Sequence, residues 1–154
     1  MKDDVFFMKQ ALKQARKAYL FDEVPVGAVI VKDGAIIARG YNRRQSKRLS
    51  TAHAEIICIE KACKKLKDWR LDGCELFVTL EPCPMCAGAA LNARLKRVVY
   101  GASDVKGGAA ESNFNVLTKG VLNWTCEQTG GVLKEECENI LKDFFAKKRS
   151  SQRS

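Results

Sequence analysis

The chain has 154 residues, 46% of them hydrophobic, with 27 Lys and Arg against 18 Asp and Glu and a formal net charge of +9. That length suits one domain, residues 1–149 with a basic tail at 150–154 expected to fray, and it buries a core without disulfide staples. No apolar run approaches membrane-spanning length, no charged start leads into an apolar export signal, and an odd count of seven cysteines argues for a reducing, cytoplasmic setting.

Apolar side chains from Phe7 to Tyr19 recur at three- and four-residue spacing, which predicts an amphipathic helix over residues 4–20 that covers one face of a sheet. Two apolar runs, 26–31 and 35–40, are separated by Lys32-Asp33-Gly34, and Asp-Gly favours a tight reversal, so they form a hairpin. Helical spacing returns over residues 54–66, with Thr51 or a neighbour as the expected cap. Residues 75–80 read as a buried strand, and Pro-Cys-Pro-Met-Cys after it opens an Ala- and Gly-rich helix to about residue 93. Beyond it are expected a strand at 97–100, a loop at 103–108, a short helix around 112–117, an edge strand near 122–127 and a last helix from about 134 to 148. Strands alternating with helices give a three-layer α/β/α sandwich, a mixed sheet of about five strands with helices on both faces.

The chemistry is concentrated at two places. The single histidine lies in Thr51-Ala52-His53-Ala54-Glu55, and Glu81-Pro82-Cys83-Pro84-Met85-Cys86 follows. His-x-Glu with a later Pro-Cys-x-x-Cys is the signature of zinc-dependent nucleobase deaminases. One imidazole and two thiolates fill three corners of a zinc tetrahedron and leave the fourth for water, the arrangement of a catalytic site. Two thiolates cancel the formal charge of the metal, so it acidifies water less than a three-histidine site and needs a carboxylate nearby. Glu55 stands two residues after His53, a position that suits a general acid and base better than a ligand. Both ligand segments fall at helix N-termini, whose partial positive charge stabilises thiolates.

Plainer readings stand beside these. A Cys-x-x-Cys pair alone is also half of a zinc ribbon or a redox pair, and a lone His at a helix start is commonly a hydrogen-bonded structural residue. The joint pattern carries the deaminase reading. Cys58, Cys63, Cys74, Cys126 and Cys137 read as small buried hydrophobes. The cations cluster at Arg43, Arg44, Lys47 and Arg48 and again at Lys147, Lys148, Arg149 and Arg153; each group is either a solvated face or a phosphate-binding one, and a base-modifying site beside them favours nucleic acid.

Over nearly its whole length the chain resembles the bacterial tRNA adenosine deaminases of the cytidine deaminase-like superfamily. The resemblance includes Glu23-Val24-Pro25-Val26-Gly27-Ala28, Asn42, both metal segments, Trp69-Arg70-Leu71, Val98-Val99-Tyr100-Gly101-Ala102, Lys106-Gly107-Gly108 and Gly131-Val132-Leu133-Lys134-Glu135-Glu136-Cys137. It implies a cytidine deaminase-like fold and hydrolytic deamination of the wobble adenosine, position 34 of a tRNA anticodon, to inosine by a homodimer with one Zn2+ per subunit. By this resemblance His53, Cys83 and Cys86 are the zinc ligands and Glu55 the proton shuttle. Asn42, Ala54 and Asn123 correspond to substrate-binding positions, and Lys106, Phe144, Phe145 and Arg149 resemble contacts to the anticodon stem-loop. Asn42 alone would read as a turn-capping residue, Lys106 as solvated, and the two Phe residues equally as core.

The chain departs from the family in two places: Leu49-Ser50 stands where Asp-Pro is common, and Asn123-Trp124 where an Asn-His pair is common. Trp124 either stacks on an unpaired base or packs against the protein. Two other functions fit part of the pattern. A free-base deaminase, such as a guanine deaminase, shares the Pro-Cys-Pro-Met-Cys segment but has no use for the basic charge; a non-catalytic, zinc-stabilised RNA-binding module requires a fourth protein ligand.

Overall fold

The computed structural model describes residues 2–117 and 124–153. Helix α1 spans Asp4–Leu20 and is capped by Asp3, whose carboxylate accepts the Phe6 N–H at 2.9 Å. Strands β1 (Gly27–Lys32) and β2 (Ala35–Tyr41) pair antiparallel through a two-residue turn in which Asp33 and Gly34 take φ of 50° and 76°. That is the left-handed pair a tight hairpin demands. A single helical turn, α2 (Arg44–Lys47), precedes α3 (Ala54–Leu66); β3 (Cys74–Leu80), α4 (Pro84–Asn92) and β4 (Arg97–Ala102) follow, then β5 (Glu127–Thr129) and α5 (Lys134–Arg153).

The sheet order is β2-β1-β3-β4-β5, antiparallel from β2 to β3 and parallel from β3 to β5. Alternation along the strands builds two cores. Ala28, Ile30, Leu76, Val78 and Val98 pack with Cys58 and Ala62 of α3 and Ala87 and Leu91 of α4. Val29, Val31, Phe77 and Val99 point the other way, onto Phe7, Met8, Ala11 and Leu12 of α1 and Cys137 of α5. This is the expected three-layer α/β/α sandwich. Gly27 lets β1 start directly against α1, because a Cβ there would overlap the backbone of Ala11 and Ala15. Arg97 ties the layers together at one end: it bonds Asp4 of α1 at 2.7 Å and Glu75 of β3 at 2.5 Å, and its guanidinium lies 5.8 Å from the Phe77 ring centre.

Three local expectations change. Residues 112–117 form turns instead of a short helix, because the Val116 N–H, which would open a ladder onto Ser112, bonds Ala109 O at 3.0 Å instead. The edge strand begins at Glu127, not near residue 122; Trp124 to Cys126 is held off the sheet by the Trp124 indole N–H to Leu95 O at 3.0 Å and by Cys126 N–H to Leu117 O at 2.8 Å. Residue 122 lies outside the described residues. Helix α5 continues to Arg153, taking in residues expected to fray. At the corner where α4 ends, Arg94 lies between two indoles, 5.7 Å from the Trp69 centroid and 5.9 Å from that of Trp124.

Candidate active site

The parallel pairing of β3 with β4 brings the carboxyl ends of these strands side by side, the region where open α/β sheets place their sites. Two helices start there. His53 is the N-cap of α3 and Cys83 the N-cap of α4, both in extended backbone, and neither side chain caps its helix. Thr51 does not cap α3 either, since the N-cap position belongs to His53, whose ring is turned to the sulfurs. Pro84 at the start of α4 costs no hydrogen bond, because the N–H it lacks would have no partner in the first turn.

His53 Nδ1 is 3.6 Å from Cys83 Sγ and 3.5 Å from Cys86 Sγ, and the three atoms lie within 4.8 Å of one another. Zinc–nitrogen and zinc–sulfur bonds of ordinary length at a tetrahedral angle place N and S about 3.6 Å apart, so the triangle fits zinc. No fourth His, Cys, Asp or Glu joins this group among the described residues. A hydrogen bond from Cys86 pulls the Cys83 thiol down to about 4, opposed by burial and assisted by His53. The same pairing, with burial and the neighbouring Glu55 charge, pushes Cys86 up. The pairing thus favours the thiolate, the form that binds metal, at Cys83.

Glu55, the second residue of α3, is 4% exposed and touches the Cys86 thiol. Burial pushes its carboxyl up to about 7, against the pull of its own backbone N–H and of His53. It faces a cavity of about 170 Å³ whose walls include Val24, Val26, Asn42, Ala54, Leu80 and Glu81. Apolar walls and few polar groups suit a flat heterocycle.

The structure brings His53, Glu55, Cys83, Asn42 and Ala54 to this one cavity, with Cys86 fully buried behind it, its sulfur 3.5 Å from His53 Nδ1. Lys106 and Phe145 line a neighbouring groove of about 580 Å³ that shares Val24 and Leu80 with it. Phe144 and Phe145 face a hollow of about 730 Å³ that shares Val24, Asn42 and Arg44 with the cavity. Phe144 is also core, 5% exposed and 5.7 Å from the Tyr19 ring, whereas Phe145 is 44% exposed. Arg149 stands exposed on α5 and lines none of these spaces. Asn123 lies outside the described residues. Trp124 sits at the opposite end of α4 from Cys83, about 13 Å along a nine-residue helix, packed on Arg94. Of the five other cysteines, Cys58, Cys74, Cys126 and Cys137 are buried and Cys63 is half-buried.

Sequence reasoning gave no role to Glu81 or Asp104, which also line the cavity. Glu81 accepts N–H groups from Asp104 at 3.0 Å, Ala110 at 3.1 Å, Glu111 at 2.9 Å and Ser112 at 2.9 Å, and also the Ser112 hydroxyl. Burial opposes its charge, yet these bonds hold the carboxyl below its ordinary value. A glutamate directly before the Pro-Cys segment was the available signal, but its partners lie 23–31 residues away.

The chain matches the MafB19-like deaminase family over residues 2–149. It is 47% identical over 154 residues to the tRNA-specific adenosine deaminase of Bacillus subtilis (strain 168), covering 100% of this chain and 96% of that protein. The tRNA-specific adenosine deaminase of Haemophilus influenzae is 46% identical over 151 residues, covering 97% of this chain and 87% of that one. A structure solved in studies of A-to-I editing by tRNA:A34 deaminases at the wobble position superposes with a TM-score of 0.85 at 47% identity, covering 88% of this chain and 98% of its own. Guanine deaminase from Nitrosomonas europaea superposes with a TM-score of 0.83 at 26% identity, covering 95% of this chain and 86% of that one.

Proposed function

The chain belongs to the MafB19-like deaminase family and, within it, to the tRNA-specific adenosine deaminases, and from that membership we propose that it hydrolytically deaminates the wobble adenosine of a tRNA anticodon, giving inosine and ammonia. The observation that carries the reading is the buried Glu55 carboxyl beside the His53, Cys83 and Cys86 triangle, with Glu55, His53 and Cys83 lining one small cavity.

His53 Nδ1 and the two sulfurs are the donors that would hold a zinc ion, one per subunit. When bound, zinc supplies Lewis acidity that makes water nucleophilic near neutral pH. Glu55 does the proton work. Its carboxylate takes a proton from the attacking water and passes it to the adenine ring as the oxygen adds to C6, then takes the second proton from the new C6 hydroxyl and delivers it to the amine, which leaves as ammonia. Asn42 and Ala54 hold the base, and the apolar walls at Val24, Val26 and Leu80 exclude bulk water.

Lys106, Phe144, Phe145 and Arg149 are assigned to the anticodon stem-loop; Lys106 and Phe145 sharing one groove beside the cavity supports the first and third. The assignment of Asn123 rests on the resemblance alone. A homodimer is part of the reading, supported by the outward face of α4, where Met85 is 36% exposed and Gly88 has open space above it. So is a cytoplasmic setting, supported by seven free cysteines; no helix among the described residues is long and apolar enough to cross a membrane.

The test is incubation of the purified zinc-loaded chain with an adenosine-34 anticodon stem-loop and, separately, with guanine, followed by product analysis. Inosine from the stem-loop, with kcat/KM falling as salt rises, is expected. Xanthine from guanine with no inosine would transfer the chain to the free-base reading.

A further inference from the structure

Glu23 is among the most buried side chains of the molecule, 1% exposed, and among the described residues it has no cationic partner within ion-pair distance. A carboxylate removed from water is costly unless donors replace its hydration. Its donors are two backbone amides: Gln45 N–H at 3.0 Å and Ser46 N–H at 2.7 Å. The backbone of Glu23 is itself anchored to the end of α1, through its N–H to Ala18 O at 2.9 Å. The side chain therefore clips the segment around α2 to the rim of the cavity.

That segment controls Asn42. The Asn42 amide nitrogen donates to Val24 O at 3.2 Å, and its amide oxygen accepts the Arg44 N–H at 3.2 Å. One of these backbone groups only accepts and the other only donates, so the amide has a single permitted orientation. Turned over, it would set oxygen against oxygen and N–H against N–H. One amide hydrogen and one lone pair of the oxygen are left for a ligand in the cavity. Both fixed points are neighbours of Glu23 contacts: Val24 follows Glu23 in the chain, and Arg44 precedes the two amides that Glu23 holds.

We propose that Glu23 is a positioning residue for the deamination, one that fixes the polarity of the Asn42 amide presented to the base by clamping the backbone of Gln45 and Ser46. It never reaches the base itself. The inference rests on the assignment of Asn42 to substrate binding, and it adds a cause for the orientation in which Asn42 works.

The test is a double-mutant cycle on the zinc-loaded full chain with an adenosine-34 stem-loop. Glu23→Gln keeps the shape, but its amide nitrogen confronts one of the two N–H donors; kcat/KM is expected to fall about 10- to 100-fold, with zinc content unchanged. Asn42→Ala lowers kcat/KM by itself, and in that background Glu23→Gln should cost less than about threefold, because the group it positions is gone. Glu23→Asp keeps the charge at shorter reach and should retain part of the activity; it carries the same cycle if Glu23→Gln does not fold. Losses that multiply in the double variant would overturn the proposal, as would full activity of Glu23→Gln. Full activity of Asn42→Ala would sink the Asn42 assignment and this inference together, whereas failure of the deaminase reading shows separately, as no inosine from the unaltered chain.

Discussion

Glu55 and Glu81 line the same cavity and are almost equally hidden, at 4% and 2% exposure, yet they are opposite acids. Burial pushes Glu55 up to about 7, whereas Glu81 is held below its ordinary value despite burial. Glu55 is set deeper in the protein, and Glu81 has more donors. Glu81 collects four backbone N–H groups and a hydroxyl from the loop after β4, while Glu55 has its own backbone N–H and a thiol neighbour. Hydrogen bonds to the charged form fix a carboxylate as an anion, and their scarcity leaves it able to exchange a proton. One wall of the cavity is thereby equipped for chemistry and another for holding a loop in place.

The largest expected effect breaks the chemical side of this contrast. Glu55→Gln preserves shape and removes the carboxylate proposed as proton carrier, so kcat should fall about 10²- to 10⁴-fold while zinc stays bound; single-turnover inosine formation together with metal analysis reads both. Turnover at the unaltered rate would remove Glu55 from the mechanism.

Glu81→Gln addresses the other side. Its amide nitrogen must face backbone N–H groups it cannot accept, leaving buried donors unpaired at a cost of about 1–3 kcal/mol. Denaturant unfolding should show that loss, and kcat/KM should drop by less than it does in Glu55→Gln. Gly108→Ala probes the same clamp from the loop, because a Cβ at Gly108 would overlap the Glu81 carboxylate. Crowding of this kind costs about 1–3 kcal/mol, visible as a lowered thermal midpoint with zinc content intact. At the small end, Lys134→Ala removes an exposed pair with Glu138, 3.8 Å apart on α5, and should change stability by about 0.3 kcal/mol. A much larger shift would mean that surface charge, not donor count around buried acids, governs this fold.

The sheet, the hairpin at Asp33-Gly34 and the helices carrying His53 and Cys86 were legible in the sequence because each depends on periodicity or on turn residues within a few positions. The His53, Cys83 and Cys86 triangle was legible because its spacing is local within each half, and α3 and α4 are placed by β3 between them. Glu23 and Glu81 were not. A lone acidic residue reads as surface, and only the folded chain shows that the donors for Glu23 lie 22 and 23 residues away and those for Glu81 23 to 31. Bonds that skip the helical spacing likewise make residues 112–117 turns: Val116 N–H reaches Ala109 O and Asn113 N–H reaches Gly108 O. Strand β5 began later than its apolar residues suggested because the Trp124 indole is tethered to the end of α4.

Both tryptophans of the chain, Trp69 and Trp124, meet at Arg94, on the corner of the fold away from the ligand triangle. Intrinsic fluorescence is therefore an optical probe of that corner and not of catalysis. Emission should shift early in any unfolding that frees the end of α4, which gives a label-free way to watch that end of the scaffold.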